Sequence, residues 1–392
     1  MHKDTQAIHS PHQRKDPFGA LSMPVYQNVA YEFDSAADMV ESFTLRSGLP
    51  DYSRVMNPTV THLEQRVQAL TGATSVTALS SGMAAISNTL MLLAAAGKNI
   101  VTSKHLFGNT FSLIASSLAR FGVEPRIVDL TDPQAVSEAV DGNTSCIFVE
   151  IITNPQMEVA DLRVLADIAH SQGSLLVADT TMIPFTEFSA HQLGVDIEVV
   201  SSTKYLSGGG TSLGGLVIDY GSRPGFSHQM RAEMISNFGA VMTPQAAYMQ
   251  ALGLETLSVR YQRQAATTLW LAEQLRTLPG IVSVCYPALP DNPFHSLCRQ
   301  QYGPTASAML TFDLESEEAC FRFINRLQLI HRATNLFDNR TLAIHPASTI
   351  FGLFTPEQRK DNDISETLIR LSVGLEDPSD LLADLRQAVA PL

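Results

Sequence analysis

Short apolar runs alternate along the chain with amphipathic stretches of helical period. The apolar runs predict buried strands over residues 99–102, 146–151, 175–179, 197–200 and 213–218. Amphipathic segments between several of them predict helices, notably over 83–95 and 162–172. This order predicts an α/β domain with a largely parallel, covered sheet, whose ligands bind at the carboxyl ends of its strands.

The segments on either side of this domain have different patterns. Residues 1–50 carry scattered proline, glycine and aromatic residues and predict an arm that lies against another surface. A long helical stretch over 244–278, with few helix breakers apart from Gly253, leads into strands at 309–313 and 369–373 and helices at 316–327 and 378–389. We therefore predict an N-terminal arm (1–50), a large domain (51–250) and a smaller α+β C-terminal domain (251–392).

The start of the first helix of the large domain has a clear local signature. Asn57 has the side chain of a helix cap, and Pro58 suits the first helical position. The amphipathic stretch that follows them predicts a helix over residues 60–70.

Composition restricts the classes of partner. With 45% hydrophobic and 17% charged residues, the chain has the balance of a folded globular protein. A net charge of -13 and an isoelectric point near 5.2 disfavour nucleic acid and anionic membranes, which leaves small metabolites. Four cysteines without metal or redox spacing are expected to be reduced, mostly buried thiols.

The sequence predicts neither export nor a metal centre. Residues 1–6 lack an apolar signal core, and no stretch reaches the roughly 18 to 20 apolar residues that a membrane helix needs. We therefore expect a cytoplasmic protein. His9 and His12 lie in a polar segment without a carboxylate or a third ligand nearby, so we expect no metal there.

A lysine follows one of the predicted strands. Lys204 comes just after Ser201, Ser202 and Thr203 and shortly before three consecutive glycines. An amine beside hydroxyls at a strand end indicates a Schiff-base lysine next to a phosphate pocket. Desolvation there would lower the lysine pKa, because burial disfavours the charged ammonium. A solvated loop lysine is the alternative, and this run alone does not decide between them.

Two other segments bear on that choice. Asp179 ends a predicted strand, where a carboxylate can bind a metal, cap a helix or pair with a cationic ring nitrogen. Ser81, Gly82 and Met83 open a helix whose free N–H groups can cradle a phosphate, although many helices begin in this way without a ligand. Together with Lys204, these groups match the demands of pyridoxal phosphate.

Several motifs occur in an order that resembles the pyridoxal-phosphate enzymes of cysteine and methionine metabolism. These enzymes include cystathionine synthases and lyases, methionine γ-lyase and O-acylhomoserine sulfhydrylases. The similarity runs from about Gly19 to the C-terminus and implies the type I, aspartate aminotransferase-like fold of PLP-dependent transferases. The matching segments are Tyr52-Ser53-Arg54, Asn57-Pro58-Thr59, Ser81-Gly82-Met83, Asn154-Pro155, Asp179, Ser201-x-Thr203-Lys204-Tyr205 and Arg370-Leu-Ser-Val-Gly-Leu-Glu376.

The resemblance implies roles for these residues around pyridoxal 5'-phosphate. Lys204 would form the Schiff base and carry protons between substrate carbons. Asp179 would keep the pyridine nitrogen protonated, because a nearby anion favours the cationic form. Asn154 would lie near the phenolic oxygen of the cofactor. The phosphate would be held by the helix start and the lysine loop, namely Ser81, Gly82, Met83, Ser201 and Thr203.

The resemblance also implies a site shared between subunits. Tyr52 and Arg54 would reach the cofactor phosphate of a neighbouring subunit, so we expect a homo-oligomer, with a dimer of dimers as the family arrangement. Arg370 would bind the substrate carboxylate, since a planar guanidinium suits that group. An ion pair at a strand edge is the alternative for Arg370.

Two positions depart from the family pattern. Phe107 stands where most members have a tyrosine stacked on the cofactor ring. A phenyl ring preserves the stacking but not the hydroxyl, so proton transfers that use tyrosine in relatives must here use Lys204, another group or water. Thr180 follows Asp179 where relatives usually carry asparagine.

The segment from Asn335 to Thr349 resembles the sulfhydrylases more than the lyases. Enzymes that handle cystathionine tend to carry a glutamate where this chain has Arg340, and methionine γ-lyases a cysteine where it has Asn109. A cationic residue suits an anionic nucleophile such as hydrosulfide. The same resemblance implies that Asn335, Arg340 and Thr341 contact the substrate.

We therefore predict γ-replacement on an O-acylhomoserine, in the first place O-acetylhomoserine, with sulfide or a thiol, to give homocysteine or methionine. A γ-elimination lyase acting on methionine or cystathionine, or a cystathionine γ-synthase, is the alternative. A pyridoxal-phosphate-binding protein without catalysis is a more remote one.

Overall fold

A computed structural model describes residues 2–9 and 18–390. Within these ranges, the α-helices are α1 (Lys3–Ile8), α2 (Ala36–Phe43), α3 (Pro58–Thr71), α4 (Gly82–Leu93), α5 (Gly108–Ser112), α6 (Pro133–Ala139), α7 (Leu162–Ser171), α8 (Phe226–Gln229), α9 (Ser236–Phe238), α10 (Pro244–Leu254), α11 (Leu257–Leu275), α12 (His295–Tyr302), α13 (Glu317–Arg326), α14 (Pro356–Asp361) and α15 (Pro378–Val389). Wider π-helical turns cover Leu113–Leu118 and Met230–Ile235, and 3-10 turns cover Ala119–Phe121 and His191–Leu193.

The strands form two sheets. They are β1 (Ser75–Leu79), β2 (Asn99–Thr102), β3 (Glu124–Ile127), β4 (Thr144–Glu150), β5 (Leu175–Asp179), β6 (Ile197–Val200), β7 (Gly215–Asp219), β8 (Ser283–Cys285), β9 (Met309–Asp313), β10 (His331–Arg332), β11 (Leu342–Ile344) and β12 (Leu368–Ser372). The first sheet has the order β1-β7-β6-β5-β4-β2-β3, and the second β10-β11-β12-β9-β8.

The seven-stranded sheet is parallel except at β7. Strands β2 to β6 pair in parallel with their neighbours, whereas β7 runs antiparallel to both β6 and β1. The five-stranded sheet is antiparallel except for the pair β10 and β11. The predicted fold class is confirmed, with a largely parallel sheet followed by a smaller α+β part. The boundaries at residues 50 and 250 stay predictions.

Both faces of the large sheet are apolar and covered. Ile147 and Leu176 belong to the core under α3 and α7, whereas Phe148 and Val177 belong to the core under α4. Successive residues of a strand point to opposite faces, so this alternation places consecutive apolar residues in two different cores. It explains why these strands appear in the sequence as continuous apolar runs.

The predicted helix start at Asn57 is confirmed. The Asn57 side chain accepts a hydrogen bond from the backbone N–H of Thr59 at 3.0 Å, and Pro58 is the first residue of α3. All four cysteines are free, and Cys146, Cys298 and Cys320 are buried, as the sequence predicts.

The arm has one packed part and one exposed part. Lys3 in α1 donates hydrogen bonds to the carbonyl oxygens of Phe185 and Phe188 at 3.1 and 3.3 Å, which ties α1 to the large domain. By contrast, α2 exposes Met39 and Phe43 to roughly half of their full extent (47% and 57%). An exposed apolar helix face of this kind is typical of a surface that another chain covers.

Two features are absent from the part of the chain that the structure describes. No helix there is long and apolar enough to cross a membrane. The same residues contain no group of three or more histidine, cysteine, aspartate or glutamate side chains that could hold a metal ion. His12 lies outside the described residues.

The long helix predicted over 244–278 is wrong in one respect, since it is two helices. The chain leaves α10 after Leu254 and enters α11 at Leu257. Near the break the backbone hydrogen bonds span three residues instead of four, since Thr256 N–H donates to the carbonyl oxygen of Gly253. Arg260 also donates to that oxygen at 2.7 Å, so a side chain replaces the next helical amide.

Gly253 lets α10 approach the segment that follows Lys204. A Cβ atom at Gly253 would lie 1.8 Å from the carbonyl oxygen of Leu206, a backbone atom that cannot move independently. No larger side chain fits there without displacing one of the two segments.

We expect Gly253→Ala to lower the free energy of unfolding by about 1–3 kcal/mol, the range for overpacking, although alanine favours helix more than glycine. Thermal and denaturant unfolding measure this change. Gly142→Ala is the control, because nothing lies within 4 Å of a Cβ atom there. Equal stability of the two variants would contradict the close approach.

Candidate active site

The site begins at the carboxyl edge of the parallel strands. Glu150 ends β4 and Asp179 ends β5, and the two residues are paired across the strands. The next strand, β6, leads into the loop that carries Lys204, whose backbone N–H donates to the carbonyl oxygen of Ser201 at 3.0 Å. The strand register therefore places two carboxylates and an amine at one edge of the sheet.

Lys204 reaches across to the second sheet domain. Its Nζ donates a hydrogen bond to Asn335 Oδ1 at 3.0 Å. The pKa of Lys204 is lowered to about 8, mainly by burial and also by the positive charge of Arg370, while Asp179 opposes this shift. At neutral pH a useful fraction of the amine is then uncharged and nucleophilic. The alternative of a fully solvated loop lysine does not fit this environment.

Asp179 is held in place by the turn that follows β5. Its Oδ1 accepts a hydrogen bond from the backbone N–H of Thr181 at 2.9 Å. Burial raises the pKa of Asp179, while hydrogen bonds from Thr181 and the charge of Lys204 act in the opposite direction. Thr180 points elsewhere: its hydroxyl donates to Glu198 Oε2 at 2.8 Å.

The start of α4 lies against the lysine loop. The Ser81 side chain caps the helix by accepting from Ala84 N–H at 3.1 Å. Within the described ranges, the N–H groups of Gly82 and Met83 have no hydrogen-bond acceptor. A Cβ atom at Gly82 would lie 2.6 Å from Cβ of Ser201, so only glycine allows the helix start and the loop to meet.

The loop that carries Lys204 is held by hydrogen bonds at Thr203 and Ser201. Thr203 Oγ1 accepts from Gly214 N–H at 3.0 Å and lies 3.1 Å from the Gly214 carbonyl oxygen, so it already has protein partners. The backbone N–H of Ser201 donates to Thr181 Oγ1 at 2.8 Å, which joins this loop to the turn behind Asp179.

Arg370 lies in the middle of the second sheet, between β11 and β9, and is 4% exposed. It donates to Asn154 Oδ1 at 3.2 Å and to the carbonyl oxygen of Asn335 at 3.4 Å, while its Nε has no partner. Burial lowers the pKa of Arg370 to about 9. No described carboxylate forms an ion pair with it, so the alternative of an ion pair at a strand edge is wrong.

Phe107 lies near this edge and is 38% exposed. Its backbone N–H donates to Glu150 Oε1 at 2.6 Å. The sequence reasoning missed Glu150, although the available signal was the one used for Asp179, a carboxylate at the end of an apolar strand.

Two of the predicted substrate residues have structural partners. Arg340 is more than half exposed, and it pairs with the buried Asp338 at 2.8 Å. The Thr341 hydroxyl is fully buried, donates to Glu376 at 2.7 Å and accepts from Gly374 N–H at 2.9 Å. The structure therefore brings Asn335 to Lys204 but commits the Thr341 hydroxyl to other groups.

Tyr52 and Arg54 lie on the surface of the subunit. Both side chains are exposed, and the Arg54 guanidinium lies 5.6 Å from the centre of the Tyr52 ring. Arg54 also donates a hydrogen bond to the carbonyl oxygen of Ser236. Within the described chain, neither residue has a hydrogen bond to the groups around Lys204.

Pyridoxal phosphate requires an amine of lowered pKa, a carboxylate for its ring nitrogen and donors for its phosphate. Lys204, Asp179 and the unpaired N–H groups at the start of α4 supply one of each at a single edge of the sheet. The residues present therefore fit this cofactor, and the fold is that of the type I pyridoxal-phosphate enzymes.

Comparison with known proteins agrees. The chain belongs to the Cys/Met metabolism PLP-dependent enzyme family, whose model matches residues 4–390. L-methionine γ-lyase of Fusobacterium nucleatum is 37% identical over 388 residues, covering 98% of this chain and 97% of that protein.

Solved structures share the fold. An O-acetylhomoserine (thiol)-lyase structure from Campylobacter jejuni has a TM-score of 0.95 and 33% identity over 99% of this chain and all of that one, and it carries a pyridoxyl-lysine monophosphate at its position 205. O-acetylhomoserine sulfhydrylase of Wolinella succinogenes has a TM-score of 0.77 and 43% identity, over 86% of this chain and 99% of that one.

We expect the cofactor-free protein to combine with pyridoxal phosphate at a rate that rises with pH and levels off above about 8. The reason is that only the neutral amine reacts and the pKa of Lys204 is lowered to about 8. Absorbance changes after mixing, over a pH series, measure the rate, and Lys204→Ala gives the background from other lysines. A rate still rising towards the ordinary lysine value of 10.5 would contradict the burial effect.

Proposed function

We propose that this enzyme catalyses γ-replacement on an O-acylhomoserine, with O-acetylhomoserine as the first candidate. Sulfide or a thiol takes the place of the acyloxy group, and the product is homocysteine or methionine. In this reaction the Cγ–O bond breaks and the carboxylate leaves with its electron pair. The nucleophile brings the pair that forms the Cγ–S bond.

The residues at this edge of the sheet support a set of proposed cofactor contacts. Lys204 would bind the aldehyde carbon, Asp179 would pair with the ring nitrogen, and Phe107 would supply the ring that stacks on the cofactor. The phosphate would be held by Ser81, Gly82, Met83, Ser201 and Thr203. Bound there, pyridoxal phosphate supplies an electron-accepting ring. The Campylobacter jejuni structure supports a Schiff-base lysine in this fold, because it carries a pyridoxyl-lysine monophosphate.

Arg370 is proposed to bind the substrate carboxylate. Its guanidinium is buried without a carboxylate partner and with one nitrogen unbonded, a costly state unless a ligand anion completes it. Asn154 and Asn335 hold two of its nitrogens and so set its orientation. Asn335 also holds the amine of Lys204, which places carboxylate recognition next to the group that moves the substrate proton.

The observation that carries the choice of reaction is the phenylalanine at position 107. A thiol leaving group has a pKa of about 8.5 or more and needs an acid to protonate it as it leaves. A carboxylate leaving group has a pKa of about 4 and departs as the anion. A site without the tyrosine hydroxyl at this position therefore suits an acyloxy group better than the sulfur of methionine or cystathionine.

Arg340 supports an anionic second substrate. Lys204 donates a hydrogen bond to Asn335, Asn335 donates to Asp338, and Asp338 also accepts from Arg340. The chain of contacts thus leads from the buried amine to an exposed guanidinium. Asp338 pairs with that charge, and the exposed side of the guanidinium would still attract hydrosulfide and repel the ammonium group of cystathionine.

Gamma-elimination is the second candidate function. Methionine γ-lyases and O-succinylhomoserine sulfhydrylase are equally similar to this chain, at 37% identity for one member of each. A γ-lyase uses the same amine, carboxylate and guanidinium, and differs in releasing ammonia and 2-oxobutanoate instead of accepting a nucleophile.

A pure preparation should form homocysteine from O-acetylhomoserine and sulfide faster than it forms 2-oxobutanoate from L-methionine. Chromatographic assay of both products under one set of conditions measures the ratio. Phe107→Tyr should raise the methionine reaction by about tenfold or more, because it restores an acid for the thiol, while Phe107→Leu should not. Release of 2-oxobutanoate without homocysteine would overturn the proposed reaction.

We further propose that Tyr52 and Arg54 complete the site of a neighbouring subunit. Their exposure, and the apolar face of α2 nearby in the sequence, support contact with a second copy. Such a subunit arrangement makes the protein a homo-oligomer with shared active sites.

An active site shared between two subunits predicts that two different inactive chains can complement each other. Lys204→Ala and Arg54→Leu chains should each have little activity alone, whereas their coexpression should restore part of it, since one mixed site in an oligomer holds both intact residues. Activity per total protein measures the recovery, and coexpression of Lys204→Ala with Asp179→Ala is the matched control, because both of those residues belong to one subunit. Recovery in neither mixture would contradict the shared site.

A further inference from the structure

Glu150 is a buried carboxyl group to which neither the family motifs nor the proposed chemistry gives a task. It is 7% exposed and ends β4 directly beside Asp179. Its Oε1 accepts the backbone N–H of Phe107 at 2.6 Å. A buried carboxyl that accepts a backbone donor fixes the segment to which that donor belongs.

We propose that Glu150 is a positioning residue, which holds the Phe107 backbone so that the phenyl ring lies in place for the cofactor. The inference rests on the proposed cofactor site, and it adds a residue that acts through Phe107 without touching the cofactor itself.

The need for such an anchor follows from the local structure. Phe107 precedes α5, a helix of five residues, and its side chain is 38% exposed. Its own packing therefore constrains the ring weakly. The hydrogen bond to Glu150 connects the Phe107 backbone to the rigid edge of the sheet, and the register of β4 with β5 fixes the height of that anchor relative to Asp179.

The state of the neighbouring groups agrees with an anchoring role. Burial raises the pKa of Glu150 well above its usual value, the charge of Asp179 raises it further, and the backbone amides of Phe107 and Asn154 act against this. Two carboxyls this close do not both ionise readily. Asp179 has Lys204 as a compensating cation, whereas Glu150 is opposed only by backbone amides, one of which belongs to Phe107.

The acceptor oxygen at position 150 can be kept or removed by substitution, which makes the test specific. Glu150→Gln keeps an oxygen for the Phe107 N–H, whereas Glu150→Ala removes it. In the cofactor-free protein, we expect hydrogen exchange at the Phe107 amide to be about tenfold faster in Glu150→Ala and close to wild type in Glu150→Gln.

The loaded protein provides the second measurement. Glu150→Ala should raise the dissociation constant of pyridoxal phosphate by about threefold to tenfold, and Glu150→Gln should leave it nearly unchanged. In a Phe107→Leu background, Glu150→Ala should add little further loss, because the anchor acts through the ring. Additive losses would show that Glu150 acts by another route and would overturn the proposal.

The control is Asp196→Asn. Asp196 is also a buried carboxyl that accepts a backbone N–H, from Leu176 at 2.7 Å, but it precedes β6 at the opposite edge of the sheet. The Asp196→Asn substitution should alter thermal stability without changing hydrogen exchange at the Phe107 amide or the affinity for pyridoxal phosphate. Unchanged amide exchange in a folded Glu150→Ala protein would refute the anchor, whereas normal cofactor affinity in Phe107→Leu would instead refute the proposed stacking.

Discussion

The structure depends on withdrawing several ionisable groups from bulk water into one small region. Glu150 and Asp179 lie at the carboxyl edge of the large sheet, while Lys204 and Arg370 face them from the loop after β6 and from the second sheet. Burial disfavours the charged form of each group. The pKa shifts therefore run towards neutrality, upwards for both acids and downwards for both bases.

The cost of burying each ionisable group is offset by different partners, and these partners determine what each group can do. Asp179 has the turn amide of Thr181 and the charge of Lys204. Glu150 has only the backbone amides of Phe107 and Asn154 against burial and the charge of Asp179, so its pKa is raised well above the usual value. Arg370 has only amide and carbonyl partners, so its charge is completed by a ligand carboxylate in the proposed function. In the proposed function, a site built in this way would bind the carboxylate of an amino acid beside an amine of lowered pKa.

Arg370 lies in the second sheet, and Asn335 lies between two strands of that sheet. The way this part of the chain packs on the large sheet is therefore as important for the site as the large sheet itself. Close backbone approaches hold the lysine loop in place, at Gly82 against Ser201 and at Gly253 against Leu206. Arg260 of α11 adds a hydrogen bond to the carbonyl oxygen of Leu206 at 3.3 Å. Small displacements at these contacts would move Lys204 relative to Asn335 and Arg370.

Much of the fold and the centre of the site could be predicted from the residues. The strands β2, β5 and β6 have the predicted bounds. A parallel strand that is covered on both faces needs a continuous run of apolar residues, and the ends of that run are visible in the sequence. Lys204, Asp179 and the Ser81–Gly82–Met83 helix start follow from strand ends and helix starts, which are local features. The family motifs then relate them to one cofactor.

What could not be predicted depends on contacts between segments far apart in the chain. The break between α10 and α11 arises where Arg260 takes the carbonyl oxygen of Gly253. The tie between Glu150 and Phe107 spans 43 residues, and the one between Lys204 and Asn335 spans 131. Hydrogen bonds between such distant residues produce no periodic pattern in the sequence, because tertiary packing determines which residues meet. Residue types and their local order thus specified the sheet, the cofactor and the reactive amine, whereas the folded arrangement alone decided which buried ionisable groups are neighbours and hence in which direction their pKa values shift.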